Sequence, residues 1–80
     1  MAQTLTLKDG TKRVVQIGPK ANLRQAIMVD PTTNKPHDLR GVDLRGADLR
    51  DADLTGVDLR GANLDDALYY SVDLKVAITK

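Results

Sequence analysis

Between Asp38 and Leu74, leucine recurs every fifth residue, at Leu39, Leu44, Leu49, Leu54, Leu59 and Leu64. Tyr69 takes the next slot and Leu74 restores the ladder. Two residues before each slot stands a small or β-branched residue, from Val42 through Ala47, Ala52, Val57, Ala62 and Ala67 to Val72. Between the two is nearly always Asp or Asn: Asp38, Asp43, Asp48, Asp53, Asp58, Asn63, Asp73. A period of five fits neither an α-helix at 3.6 nor a flat strand at 2. A fixed repeat of this kind marks stacked, quasi-one-dimensional architecture and has to be read before any single element.

A chain that turns a corner every five residues closes a square after twenty. Alternation along each short extended side points the leucine and the residue two before it inward, and the other three outward. Pentads 37–41 through 72–76 make eight, hence two coils, with Ala77–Lys80 beginning a third. Gly41, Gly46, Gly56 and Gly61 fall at the corners, where backbone freedom is useful. Residues twenty apart should stack: Arg40, Arg60 and Lys80 in one outer column beside Asp38 and Asp58, Arg45 by Asp65, Thr55 by Lys75, and Leu49 on Tyr69 in the core. Leu68 and Tyr70 should point outward beneath Asp48 and Arg50.

The units VDLRG (42–46), ADLRD (led by Ala47), ADLTG (52–56), VDLRG (57–61) and ANLDD (62–66) resemble the pentapeptide repeat family, whose motif is written A(D/N)LXX. The resemblance covers about residues 37–76, half the chain. It implies an all-β fold, a short right-handed quadrilateral parallel β-helix with outward Asp or Asn supporting the turns. It says little about the first 36 residues apart from ANLRQ.

The N-terminal segment TLTLKDGTKRVVQI reads as a β-hairpin, from its alternating strand formers and the Asp9-Gly10 turn. A two-residue loop at Asp9-Gly10 sets Leu5 opposite Val14 and Leu7 opposite Lys12, so that Leu5, Leu7 and Val14 share one face and Val15 and Ile17 the other. Such a hairpin is not stable alone and needs the repeat domain or a neighbouring chain beneath it. Residues 21–29 carry ANLRQ and then Ala26, out of phase with the main array, because Leu23 to Leu39 is sixteen residues. They read as an irregular first coil, the alternative being one helical turn carrying Leu23, Ile27 and Met28 as a cap. DPTTNKP (30–36) reads as a loop, with Pro31 and Pro36 removing two backbone donors. The domain division is therefore 1–36, hairpin plus irregular capping coil and loop, and 37–80, the β-helix.

Eighty residues without cysteine allow one small domain with no disulfide staple and no thiolate metal site. The sequence shows no recognisable secretion signal or membrane-spanning run, which places the protein in the cytoplasm or in a virion. The net charge of +1 divides into +4 over residues 1–36 and −3 over 37–80. That asymmetry permits weak head-to-tail pairing between copies.

No residue set reads as an active site. The Asp columns lack calcium-loop spacing and are better taken as corner supports offset by Arg. His37, the only histidine, sits in an inward-type slot without a second histidine or a nucleophile near it, as an end-cap residue would. Arg40, Arg60 and Lys80 are better read as a salt-bridged surface than as a phosphate site, and two adjacent tyrosines are too few for a base-stacking platform. No cofactor, metal, catalytic residue, nucleic acid or membrane is expected.

An outward Leu68 beside an outward Tyr70 breaks the polar surface pattern, and clustered aromatics favour interfaces. The candidate interface is Leu68, Tyr69 and Tyr70, joined by Leu5, Leu7 and Val14 of the hairpin. The leading function is a non-catalytic structural or protein-interaction module that self-associates or docks on a larger protein scaffold, a virion or capsid accessory protein being one version. The resemblance also implies a rival, since some members of the family are long acidic rods that mimic DNA and bind DNA gyrase. Two coils at −3 suit that rival poorly. A third possibility is an adaptor piece of a larger complex.

Overall fold

The computed structural model describes residues 2–30 and 32–79. Pro31, and Lys80 as the third member of the Arg40 column, lie outside the described residues. The elements are β1 (Ala2–Thr6), β2 (Lys12–Gln16), β3 (Val29–Asp30), β4 (Lys35–Pro36) and one helical turn, α1 (Ser71–Leu74). Between them runs a β-helix of single-residue parallel bridges: Asp38 with Asp58, Asp43 with Asn63, Asp48 with Leu68 and Asp58 with Ile78, each pair twenty residues apart. The rungs are tied from both partners. The Leu49 N–H donates to the Leu68 carbonyl at 2.7 Å, and the Leu68 N–H to Ala47 at 2.8 Å.

Residues 21–28 belong to this stack and are not a helical cap. Asn22 bridges Asp48, and Ile27 bridges Asp53, at an offset of 26. The extra six residues are taken up by a small hairpin, β3 pairing antiparallel with β4, so the DPTTNKP segment is not merely loop. Its tip is held by the Asn34 N–H on the Asp30 carbonyl (2.7 Å) and by the Asp30 carboxylate on the Thr32 N–H (2.8 Å). The coil then resumes at His37, whose N–H donates to the Met28 carbonyl at 3.0 Å. The β-helix therefore begins near Ala21. Backbone pairing sets Leu23 over Leu49, Met28 over Leu54, Leu39 over Leu59 and Leu44 over Leu64.

Seven corners share one construction. The Asp or Asn before Leu23, Leu39, Leu44, Leu49, Leu54, Leu59 and Leu64 accepts the N–H two residues on, as Asp38 does from Arg40 (3.2 Å) and Asn63 from Asp65 (3.0 Å). This is the side-chain turn that Asx residues form readily. The next position has positive φ: Gly41 at 69°, Gly46 at 68°, Gly56 at 72° and Gly61 at 75°, but also Gln25 at 59°, Asp51 at 63° and Asp66 at 60°. Glycine adopts that region freely, whereas the non-glycine corners hold it at a cost.

The hairpin register differs from the expected one. Leu5 pairs with Arg13 and Thr4 with Val14, around a three-residue loop, Lys8–Gly10. The Gly10 N–H donates to the Leu7 carbonyl (2.9 Å), and Gly10 has φ 88°. One residue of slip flips a strand's faces. Leu5, Leu7 and Val15 consequently share the buried face with half-buried Ile17, while Val14 faces outward at 70% exposed. The hairpin lies on the first coil through a Leu7–Ala26 bridge and through the Ile27 N–H on the Thr6 carbonyl (2.8 Å). It closes that end of a single core that runs through Leu23, Met28, Leu44, Leu49, Leu54 and Val57.

At the other end the ladder stops being a ladder. Pentad 72–76 is not an extended rung, because Ser71–Leu74 forms α1. Tyr69 does not fill the core beneath Leu49 and is 40% exposed, since among the described residues no further coil lies under it. The chain returns to the stack at Ile78, whose carbonyl accepts the Leu59 N–H at 2.7 Å.

Candidate interaction surface

Two surface features are built by the repeat. The first is the side wall. In each Asp-Leu-Arg unit the arginine folds back on the aspartate that supports its own corner. Arg40 holds Asp38 at 2.8 Å, Arg45 holds Asp43 at 2.7 Å, Arg50 holds Asp48 at 2.7 Å and Arg60 holds Asp58 at 2.6 Å. Thr55, at the one Asp-Leu-Thr unit, donates its hydroxyl to Asp53 at 2.7 Å. The arginine hydrogen bonds hold the Asp58 carboxyl down at about 2, and those of Asp38, Asp43 and Asp48 below their ordinary range. Asp53 is lowered by Thr55 in the same way. These acids are thus engaged twice, by a backbone N–H and by a neighbouring side chain. Among the described residues no group of three or more carboxylates or histidines is arranged to hold a metal ion.

The second feature is the C-terminal end. Seven large apolar side chains are exposed among the described residues, and six of them lie there: Leu68, Tyr69, Tyr70, Val72, Val76 and Ile78. Tyr69, Ser71, Leu74, Lys75 and Thr79 line an open recess of about 310 Å³ on this end. Leu64 and Leu74 are only partly buried, so the core itself reaches this face.

The residues expected at an interface thus separate. Leu68, Tyr69 and Tyr70 come together on the C-terminal end. Leu5 and Leu7 are 1% and 7% exposed, spent inside the core, and Val14 stands alone on the outer face of the hairpin. Val72, Val76 and Ile78 were not foreseen as surface residues, because Val72 occupies an inward slot if the pentads are extended past Ala67. The signal that the array ends is Leu68, which stands before the Tyr69 slot where each earlier unit from Asp38 to Asn63 has Asp or Asn. His37 is partly buried, with an Nε2 atom that has no hydrogen-bond partner among the described residues.

A chain whose side walls neutralise themselves and whose exposed apolar surface gathers at one end is a repeat scaffold. The family model described as pentapeptide repeats (8 copies) matches residues 38–68. That segment is a pentapeptide-repeat array, and the match ends where α1 and the exposed end begin. No curated protein and no solved structure matches the chain.

Proposed function

We propose that this chain is a non-catalytic structural and protein-interaction module, a short right-handed, four-sided β-helical plug that docks through its C-terminal end as part of a homo-oligomer or a larger assembly. The observation that carries it is the confinement of Leu68, Tyr69, Tyr70, Val72, Val76 and Ile78 to one end of a rod whose other end is covered. Clustered exposed apolar side chains with aromatics among them favour protein partners. The four-sided geometry is supported by pairing at twenty residues in a repeat of five, and the handedness follows the repeat family. A structural role is supported by the carboxylates, which are committed to corners and arginines rather than to a cleft. A virion or capsid is one setting for such a plug.

The same Asp–Arg pairing weakens the reading of a DNA-mimicking, gyrase-binding regulator. Four of the outward acids carry their own arginine, which removes the unbroken negative surface that mimicry needs.

The test is the native size of the tagged protein in a lysate of the cells that produce it. Docking predicts elution well above the 8.7 kDa monomer, and a return to monomer for Leu68→Ser/Tyr70→Ser. Wild-type protein eluting as a monomer overturns the proposal.

A further inference from the structure

We infer that the free edge of β2 is a second docking surface, which takes an extended acidic strand of a partner protein by strand addition. It lies at the opposite end from the exposed apolar cluster, so its failure leaves the reading of that cluster intact.

The two edges of the hairpin are used differently. The β1 edge is closed on the first coil. The Lys8 N–H just beyond it donates to the Gln25 carbonyl at 2.9 Å, and the Thr6 carbonyl accepts the Ile27 N–H at 2.8 Å. Leu7 between them turns its N–H the other way, to the Thr11 carbonyl at 2.8 Å. Successive residues of an antiparallel strand aim their backbone groups to opposite sides. Counting on from Thr11, Arg13 and Val15 bond β1 across from Leu5 and Gln3, while Lys12, Val14 and Gln16 aim their N–H and C=O groups away from it. These three residues are exposed, and neither a third strand nor an isolated bridge meets them among the described residues. Unpaired backbone of this kind is a template for another strand. Sheets blunt such edges with proline, bulges or charge. β2 has no proline and pairs with β1 without a bulge, and its charge is of one sign, from Lys12 and Arg13.

That charge says what the added strand must be. Lys12 and Arg13 make no ion pair among the described residues. The Lys12 ammonium donates to the Thr6 hydroxyl at 2.9 Å, and the Arg13 guanidinium to the carbonyls of Asn22 (3.1 Å) and Arg24 (3.0 Å). The second contact brings Arg24 to the same flank. Arg24 pairs only loosely, with Asp48 at 3.8 Å, which Arg50 already holds at 2.7 Å. The two acids of the segment are occupied in their own turns, Asp9 with Thr11 and Asp30 with Thr32. A strand laid along β2 places acids beside Lys12 on one face and Arg13 on the other, and an apolar residue beside Val14. Val14 is the one large apolar side chain exposed away from the C-terminal end among the described residues. A second copy of β2 fits badly, because six cations and two acids leave residues 1–36 at +4 and two such edges repel.

Titration of the isotope-labelled full chain with acetyl-Ser-Thr-Val-Val-Glu-Glu-Ser amide, followed by NMR, tests this. Added antiparallel, the peptide sets valine against Val14 and glutamates against Arg13 and Lys12. Amide exchange should slow at Lys12, Val14 and Gln16, the outward donors. The peptide with lysine in place of both glutamates should bind about tenfold more weakly. Val14→Pro removes an outward N–H and no bond to β1, which an edge strand tolerates. That variant should keep the cross-strand contacts of the hairpin and lose the peptide. Lys12→Glu should erase the preference between the two peptides, and it decides the matter if Val14→Pro misfolds. Unchanged exchange at Lys12, Val14 and Gln16 with 5 mM peptide, equal binding of the two peptides to the wild type, a preference kept by Lys12→Glu, or binding by a folded Val14→Pro overturns the inference. So does a single-stranded oligonucleotide that binds more tightly than the acidic peptide, and equally to wild type and Val14→Pro, since the flank would then attract any polyanion.

Discussion

The ladder leucines look equivalent in sequence, and the structure makes them unequal. Leu44, Leu49 and Leu54 are fully buried, whereas Leu64 is only partly covered. Leu54 lies beneath Met28, whose N–H donates to the Asp53 carbonyl at 3.1 Å, and its own side chain is wholly buried in the core. Truncating a buried leucine to alanine removes ~2 kcal/mol of transfer free energy and adds a cavity term, for a total of about 3 kcal/mol. Leu64→Ala leaves no closed cavity, because solvent already reaches its outer side, and should cost about 1 kcal/mol. An 80-residue domain has a stability of roughly 4–12 kcal/mol, so the first loss is a large fraction and the second a small one. Urea unfolding followed by circular dichroism, at a concentration where the protein is monomeric, reads both. With a slope near ~1 kcal/mol per M, Leu54→Ala should lower the midpoint by about 3 M and Leu64→Ala by about 1 M. Equal shifts for the two variants refute the open-ended stack.

Two further outcomes follow from the corners and the wall. Gln25→Gly relieves a positive φ of 59° and should raise stability by about 0.5–1 kcal/mol in a thermal melt. Gly56→Ala, at φ 72° with a new methyl 3.1 Å from Cγ of Pro36, should lower it by ~1–2 kcal/mol; a rise would contradict the corner geometry. Because the Asp58 carboxyl is held at about 2 in the folded protein against an ordinary 3.8, its contribution to stability is complete above pH 3.8 and is lost as the pH falls from there through 2. Asp38, Asp43, Asp48 and Asp53 shift in the same direction. The urea midpoint should hold between pH 7 and 5 and drop steeply below 4. A midpoint unchanged at pH 2 would show that these carboxylates do not support the fold.

The repeat was legible because a period of five has one economical solution, a corner in every unit, and Asp38, Asp43, Asp48 and Asp58 are spaced to support those corners. The hairpin register was not, because Asp9-Gly10 suits a two-residue loop as well as a three-residue one ending at glycine. The deciding signal lay in the apolar residues. Only the three-residue loop gathers Leu5, Leu7, Val15 and Ile17 on one face, and the first coil selects that face. The coil over 21–28 was legible from ANLRQ, but not the form of the insertion that puts it out of phase, a six-residue excursion through β3 and β4 that leaves its pairing intact. At the far end Val72-Asp73-Leu74 matches the repeat in letters but turns as a helix. Asp73 there accepts the N–H of Asp51 at 3.0 Å instead of supporting a corner of its own. The surface site was half legible: Leu68 and Tyr70 stood out against a polar wall, but Val72, Val76 and Ile78 become surface only once the ladder ends.

Amide hydrogen exchange tests the central claim most directly, namely that one end of the stack is closed by its own hairpin and the other is open. In the purified protein the rung amides of Leu23, Asp48, Leu49 and Asp53 should be strongly protected, since each donates to a neighbouring coil. The amides of Leu64 and Asp66, which donate to nothing among the described residues, should exchange fast. Equal protection of the two sets contradicts the account.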